Sequence, residues 1–201
     1  ITELVHDEQE GLREEARQRE YAWLTGDVRA EDRATQYGHR AAIVLFTGSA
    51  QTGKTFLARR VEALLVADSR HAYLLEGENL LQGLDADLSA ADPSFAAERV
   101  RRYGEVARLL IDTGLIVVST SKTFGINYQR MAEMIRTLVQ PAPVIAVHMS
   151  RAGEEPPPNT DLHFAGPQDF DAAARQILEE LKRRGVLIQP SGTKSTIQYS
   201  I

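Results

Sequence analysis

Hydrophobic residues along the chain fall into short apolar runs that alternate with segments of helical spacing. The runs that predict strands cover residues 41–47, 72–75, 115–118, 144–149 and 162–164. The first run is continuous, apolar and followed by glycine, as is typical of a strand buried on both faces of a parallel sheet. Helical spacing predicts helices at residues 94–112, 126–139 and 170–184, and after the first strand, where Phe56, Leu57, Val61, Leu64 and Leu65 recur. This alternation predicts an α/β fold with a mainly parallel sheet covered on both faces.

The two ends of the chain differ from this alternating middle. Residues 1–24 carry a narrow apolar stripe among many charges, which predicts an N-terminal amphipathic helix. Residues 31–40 are polar and are expected to form a connector, whereas residues 186–201 are rich in Ser and Thr and are expected to be extended. The tail is expected either to pair with an edge strand or to stay loose. We therefore divide the chain into a helix (1–27), an α/β domain (28–185) and a tail (186–201).

Composition narrows the class of protein. The 201 residues are 43% hydrophobic and 25% charged, which suits one well-buried soluble domain. No apolar run approaches the length of a membrane span, so no membrane partner is expected. The absence of cysteine excludes disulfides and fits the cytoplasm. The net charge of −5, with scattered Lys and Arg, argues against a nucleic acid partner.

A glycine-rich turn with the spacing G-x-x-x-x-G-K-T joins the first strand to the following helix. Its residues are Gly48, Ser49, Ala50, Gln51, Thr52, Gly53, Lys54 and Thr55. The glycines let the backbone wrap around phosphates, and the helix adds its positive end. Lys54 is expected to reach the β- and γ-phosphates, and Thr55 to complete the Mg²⁺ shell. The sequence thus predicts a three-layer P-loop NTPase sandwich of the small-molecule kinase type rather than an ordinary glycine-rich turn.

Acidic residues that such a kinase needs follow the second strand. Glu76 and Glu78 stand at its carboxyl end, where ligands bind in open α/β sheets, and are candidates to hold Mg²⁺ or accept a proton. The alternative is that both are exposed loop carboxylates. No Asn-Lys-x-Asp segment follows a later strand, so adenine is favoured over guanine.

The histidines and the remaining basic residues have both structural and binding interpretations. His39, His71 and His148 are expected to be satisfied structural histidines, and no zinc site is predicted. Of the adjacent Arg101 and Arg102, either one approaches the phosphates or both lie on the surface. Candidates for an acceptor pocket are Lys122, Arg130 and Arg136.

Several short motifs together resemble the adenylylsulfate (APS) kinase family. Residues 31–34, 38–39 and 46–48 resemble the opening of that family. Residues 73–79 read Y-L-L-E-G-E-N, similar to the family's Y-L-L-D-G-D-N, and residues 101–107 read R-R-Y-G-E-V-A, similar to R-R-I-G-E-V-A. Gly83-Leu84, Asp87-Leu88 and Gly114-Leu115-Ile116 follow at nearly the family spacing. Because unrelated motifs arrive in the right order over residues 28–185, the chain is identified as a divergent member of the family.

The resemblance implies a reaction. ATP, with Mg²⁺, would phosphorylate the 3′-hydroxyl of adenylylsulfate, or of a related small anionic acceptor, so that the partners are small nucleotides. Lys54 and Glu78 or Glu76 would be catalytic, and Thr55 and Glu78 would hold Mg²⁺. Asn79, Arg102 and Lys122 would contact the acceptor. Because the family is often fused to ATP sulfurylase and the chain begins at Ile1, we expect either such a fusion, with this chain as its C-terminal domain, or a homodimer.

Departures from the family's motifs fall on the acceptor side. Leu81 stands where N-x-R-x-G-L has arginine, and Ser89-Ala90 replaces the end of D-L-G-F. Residues 95–102 replace D-R-x-x-N-I-R-R and place Arg99 at the asparagine. This sequence also has no match to the family's I-S-P-[YF]-R motif or to the segments of its basic lid. These changes leave open an alternative, a catalytically degenerate nucleotide-binding module that regulates or scaffolds ATP sulfurylase.

Overall fold

The computed structural model describes residues 26–120, 128–166 and 169–188, with the backbone alone for residue 128. The predicted N-terminal helix, Lys122 and most of the tail therefore lie outside the described residues. The strands are β1 (Ala42–Gly48), β2 (Ala72–Glu76), β3 (Ile116–Thr120), β4 (Val144–Ser150) and β5 (Leu162–Ala165). The helices are α1 (Ala30–Tyr37), α2 (Lys54–Ala67), α3 (Gly77–Leu80), α4 (Phe95–Asp112), α5 (Tyr128–Val139) and α6 (Phe170–Arg183).

The five strands form one sheet with the order β2-β3-β1-β4-β5, and every neighbouring pair is parallel. Successive residues of β1 point to opposite faces. Val44 and Phe46 join one core cluster with α2 and α6, whereas Ile43 and Leu45 join a second cluster with α4 and α5. The predicted three-layer α/β sandwich is therefore confirmed. All carboxyl ends of the strands meet at one edge of the sheet, and the candidate site lies there.

The prediction of a polar connector at residues 31–40 was wrong, because α1 covers most of that segment. The Asp32 carboxylate accepts a hydrogen bond from the Arg29 backbone N–H at 3.0 Å, which satisfies one donor at the start of the helix. Gly38, with φ 69°, ends the helix, and its N–H bonds the Ala34 carbonyl at 2.9 Å. No residue of α1 is buried, so the segment lacks the apolar stripe from which helices were predicted.

The start of the predicted tail belongs to the domain. Leu187 pairs antiparallel with His39, and Val186 and Leu187 are buried in the core. The Arg40 N–H bonds the Val186 carbonyl at 2.8 Å, and the Ile188 N–H bonds the Gly38 carbonyl at 3.0 Å. Residues 186–188 thus pair with the segment that leads into β1, beside the sheet rather than on its edge strand.

His39 is a fully buried histidine with a fixed tautomer. Its Nδ1 lies 3.1 Å from the Arg40 carbonyl oxygen, which can only accept, so Nδ1 carries the proton. Its Nε2 then accepts the His71 backbone N–H at 3.0 Å. Burial lowers the pKa of His39. These bonds give His39 the structural role that was expected of it.

Candidate active site

The glycine-rich turn lies at the carboxyl end of β1, and its two glycines occupy positions that a side chain would not fit. Gly48 has φ 118°, and a Cβ there would lie 1.9 Å from the Met149 carbonyl oxygen on β4. Gly53 has φ 87°, and a Cβ there would lie 2.7 Å from the Phe170 ring. The Ser49 N–H bonds the Met149 carbonyl at 3.0 Å, so the turn begins while still attached to the sheet. The Met149 backbone therefore explains why Gly48 is needed, and the left-handed φ beside the Phe170 ring explains why Gly53 is needed.

Lys54 is the first residue of α2, and its ammonium lies against the backbone of this turn. It donates hydrogen bonds to the carbonyls of Gly48, at 2.9 Å, and of Ser49. Lys54 is only 7% exposed, and burial lowers its pKa. Thr55 follows it on α2 and is half-buried. Lys54 and Thr55, the residues that the sequence predicts to act on the phosphates and Mg²⁺, thus lie together at the amino end of one helix.

The two glutamates after β2 occupy different environments. The Glu76 carboxylate lies 3.3 Å from the Arg59 guanidinium on α2. Glu78, one residue into α3, is half-buried, and its charge raises the pKa of Lys54 against the effect of burial. Of the two, Glu78 is therefore the carboxylate whose charge acts on the predicted phosphate-binding lysine.

Tyr103 anchors the end of β2, which leads to these glutamates, and the helical spacing of residues 94–112 alone did not predict this contact. Its hydroxyl donates to the Leu75 carbonyl at 2.7 Å and lies 2.5 Å from Ser119 Oγ on β3. Burial raises the pKa of Tyr103, so the hydroxyl stays protonated. A tyrosine within a buried helical stripe was the available signal, because a buried hydroxyl needs a partner.

A row of polar side chains runs across neighbouring strands, from β1 through β4 to β5. Thr47 Oγ1 lies 3.0 Å from His148 Nδ1, and the ring of His148 lies 6.0 Å from that of His163. His163 Nε2 is 2.7 Å from Ser150 Oγ. Burial lowers the pKa of His148, and the nearby His163 and Lys54 charges lower it further. His163, for which no partner was predicted, is therefore part of this row.

Glu154 joins the loop after β4 to the phosphate turn. Its carboxylate accepts hydrogen bonds from Ser49 Oγ at 2.5 Å and from the Arg151 N–H at 3.1 Å. These bonds, the Ser49 bond first, lower the pKa of Glu154. This contact has no local signal in the sequence, because the two residues are 105 positions apart.

On the acceptor side, the arginines of α4 are paired with carboxylates. Arg99, which stands where the family has asparagine, forms a buried ion pair with Asp85 at 3.3 Å. Arg102 bonds Asp87 and Glu98, at 2.5 Å and 2.9 Å. Asn79 is exposed on α3. The predicted acceptor residues Asn79 and Arg102 therefore flank the loop that follows α3.

The other basic residues predicted to line an acceptor pocket either lie elsewhere in the fold or fall outside the described residues. Arg136 bonds the Asn159 carbonyl at 3.0 Å and lies 3.7 Å from Asp161, both next to β5. Arg130 is exposed on α5. Lys122 is one of the residues that the structure does not describe.

The oxygens at this edge of the sheet fit Mg²⁺, because hydroxyl and carboxylate groups are its usual protein ligands. The Glu78 carboxylate is close enough to act on Lys54, and Thr55 is next to that lysine. Within the described ranges, no group of three or more His, Asp or Glu residues forms a metal cage. Bound Mg²⁺ usually needs only one or two carboxylates because phosphates and water complete its shell. None of the helices in these ranges has the length and apolar composition needed to cross a membrane.

Comparison with known proteins gives one consistent family. The chain matches the adenylylsulphate kinase family over residues 40–156, more than half its length. The adenylyl-sulfate kinase of Yersinia pestis is 29% identical over 194 residues, covering 82% of this chain and 89% of that protein. The adenylyl-sulfate kinase of Shewanella amazonensis is 38% identical over 128 residues, covering 64% of this chain and 63% of that protein. The family match at residues 40–156 spans the phosphate turn, both glutamates and Arg102.

Solved structures agree with this match. A mutant APS kinase from Mycobacterium tuberculosis is 29% identical with a TM-score of 0.62, and the likeness covers 72% of this chain and 99% of that one. A hexameric APS kinase from Thiobacillus denitrificans, 24% identical, has the same fold with a TM-score of 0.62 over 76% of this chain and 31% of that one.

Proposed function

The chain belongs to the adenylylsulphate kinase family, and on that premise we propose that it transfers the γ-phosphate of ATP to the 3′-hydroxyl of adenylylsulfate. The observation that carries this proposal is the placement of the Lys54 ammonium in the glycine-rich turn, with the Glu78 charge acting on it. An ammonium and a carboxylate beside a phosphate turn are the groups that phosphoryl transfer to a hydroxyl needs.

The phosphate-binding half of the reaction uses the turn from Gly48 to Thr55. Its backbone, including Ser49, Ala50, Gln51, Thr52 and Gly53, wraps the phosphates of ATP. Lys54 exchanges its bonds to the turn carbonyls for bonds to the β- and γ-phosphates, where its charge stabilises the transition state. Thr55 and Glu78 would hold Mg²⁺, which supplies positive charge to the phosphates when bound.

The proton of the acceptor hydroxyl also needs a base, and Glu78 is our first choice. Glu76 is the second, because its carboxylate is held by Arg59. Glu78→Gln separates two roles for that residue. If Glu78 accepts the proton, kcat falls and the Mg²⁺ dependence is unchanged; if it holds the metal, a higher Mg²⁺ concentration restores turnover.

The acceptor is proposed to bind beside α3 and α4, in contact with Asn79, Arg102 and Lys122. The motif at residues 77–84 and the arginine pair at 101–102 support this placement. The anionic end of adenylylsulfate is expected to meet Arg102, the guanidinium of that pair that reaches the loop after α3.

The alternative function is a degenerate module that binds nucleotide and regulates ATP sulfurylase. The comparisons favour the kinase, because the matched relatives are themselves named as adenylyl-sulfate kinases. Release of ADP from Mg-ATP, with and without adenylylsulfate, tests the choice. A kinase shows acceptor-dependent release that Lys54→Ala removes. A regulatory module binds ATP but shows no such release.

The oligomeric state and the cellular location of the protein are also part of the proposal. A homodimer and a fusion to ATP sulfurylase are the two arrangements that the sequence favours, and light scattering of this chain separates a dimer from a monomer that needs a fused partner. A cytoplasmic location is consistent with the lack of cysteine and is tested by cell fractionation.

A further inference from the structure

The arginines in the amino-terminal half of α4 are neutralised by carboxylates of the same region. Arg99 pairs with Asp85, Arg101 with Glu98, and Arg102 with Asp87 and Glu98. Residues 78–105 contain six acidic residues and three arginines, with no lysine or histidine. Within residues 78–105, an anionic acceptor can therefore bind an arginine only in competition with a carboxylate.

Of the three arginines, Arg102 has the most exposed carboxylate partner. Arg99 is held in the interior with its side chain 5% exposed, whereas the side chains of Arg102 and Asp87 are 18% and 66% exposed. An exposed carboxylate can swing into solvent at little cost, so the Asp87 bond is the one that opens. Glu98 meanwhile keeps the Arg102 Nε at 2.9 Å and holds the guanidinium in place.

The geometry of the Asp87 pair is that of a bound oxyanion. The two oxygens of Asp87 bond Nη1 and Nη2 of Arg102, at 2.5 Å and 2.9 Å. A sulfate or phosphate group uses the same guanidinium fork. The Leu84 carbonyl accepts a further bond from Arg102 and ties that fork to the loop after α3.

We propose that Asp87 competes with the anionic end of the acceptor for the Arg102 fork and so sets the affinity for adenylylsulfate. This inference rests on the proposed kinase function and adds a specificity-determining residue to it. An acceptor with a sulfate or phosphate group displaces Asp87 from Arg102. An acceptor without an oxyanion leaves the pair closed and gains nothing from the arginine.

The test compares Asp87→Asn with the wild-type protein. Removal of the competing charge is expected to lower KM for adenylylsulfate about three- to ten-fold, with kcat and KM for ATP within about two-fold. Arg102→Ala is expected to raise that KM at least about ten-fold. In the Arg102→Ala background, Asp87→Asn is expected to have no further effect, since the contested group is gone.

Asp68→Asn is the matched control, because Asp68 is an exposed carboxylate that bonds Arg70 at 3.0 Å at the far end of α2. It should leave every kinetic constant unchanged. A KM for adenylylsulfate that is unchanged or raised in Asp87→Asn overturns the inference. So does an equal fall in both the wild-type and Arg102→Ala backgrounds.

Direct binding separates this inference from the proposed function. The dissociation constant of adenylylsulfate is measured by calorimetry in the presence of ADP, for the wild type, Asp87→Asn, Arg102→Ala and the double variant. If no product forms but Asp87→Asn binds adenylylsulfate more tightly, and only when Arg102 is present, the competition stands and the kinase proposal fails. If no variant binds adenylylsulfate, both fail.

Discussion

The Ser49 hydroxyl in the phosphate turn donates a 2.5 Å hydrogen bond to the Glu154 carboxylate, which lies in the loop after β4. A negative charge is thereby fixed beside a turn that is built to receive negative phosphates. The bonds from Ser49 and Arg151 lower the pKa of Glu154, so the charge is present at neutral pH. Nucleotide binding must therefore work against the Glu154 charge.

Glu154→Gln is expected to tighten Mg-ATP binding about three- to ten-fold, because it removes that charge while keeping an oxygen for Ser49. Titration at low and high salt measures the effect, which should shrink as salt screens the charge. Glu155→Gln, at the exposed neighbour, controls for the general loss of one charge. Weaker binding in Glu154→Gln would mean that the carboxylate instead supports the turn.

Gly48→Ala is expected to abolish nucleotide binding and to lower the free energy of unfolding by at least about 2 kcal/mol. The added Cβ would lie 1.9 Å from the Met149 carbonyl oxygen, so the turn or β4 must move. Gly153→Ala is the control: its φ is also positive, at 84°, but no atom lies within 4 Å of the added Cβ. It should lower stability by only about 1 kcal/mol. Urea unfolding of both variants gives the comparison, and equal losses would contradict the steric argument.

Asp85→Ala is expected to destabilise the fold by about 3–5 kcal/mol, because it leaves the buried Arg99 charge without its carboxylate. The double variant Asp85→Ala with Arg99→Met should recover much of that loss, since neither charge of this buried ion pair then remains. Chemical denaturation measures both. A double variant less stable than Asp85→Ala alone would show that Arg99 contributes through other contacts.

The free energy of unfolding is expected to rise with pH up to about 6.5 because of the buried histidines. Folding lowers the pKa of His39 below its ordinary 6.5, so the unfolded chain binds more protons in this range. The stabilisation from neutral His39 is fully present above about pH 6.5 and is lost as the pH falls through the pKa of His39 in the folded state. The free energy of unfolding then changes by up to about 1.4 kcal/mol per pH unit. Glu98, with a pKa of about 2, remains charged throughout this window.

His39→Gln tests this assignment, because its side-chain oxygen can accept the His71 N–H but cannot be protonated in this range. We expect a smaller change in the free energy of unfolding between pH 5.5 and pH 7.5. His148 also has a lowered pKa, so part of the slope should remain. An unchanged slope would exclude His39 as its source.

The sheet and the phosphate turn could be predicted because their signals are local. The apolar run before Gly48 and the helical spacing after Lys54 are each read within one element. The helix at Ala30–Tyr37 was missed because it buries no residue and so has no apolar stripe.

The contacts that distinguish the site residues are not local. The sequence placed Glu76 and Glu78 together but did not show that Arg59 holds one of them. The bonds from Ser49 to Glu154 and from Arg102 to Asp87 join residues 105 and 15 positions apart. Such pairs depend on how the helices and loops are arranged around the sheet, and residue spacing does not encode that arrangement.

The most direct test of the kinase assignment is where the transferred phosphate goes. The protein is incubated with Mg-ATP labelled in the γ-phosphate and with adenylylsulfate, and the product is separated and analysed by mass spectrometry and ³¹P NMR. We predict that the label appears on the 3′-oxygen of adenylylsulfate, and that Lys54→Ala lowers its rate of appearance at least about 100-fold. Label that stays in ATP or appears only as free phosphate, with adenylylsulfate unchanged, would contradict the assignment.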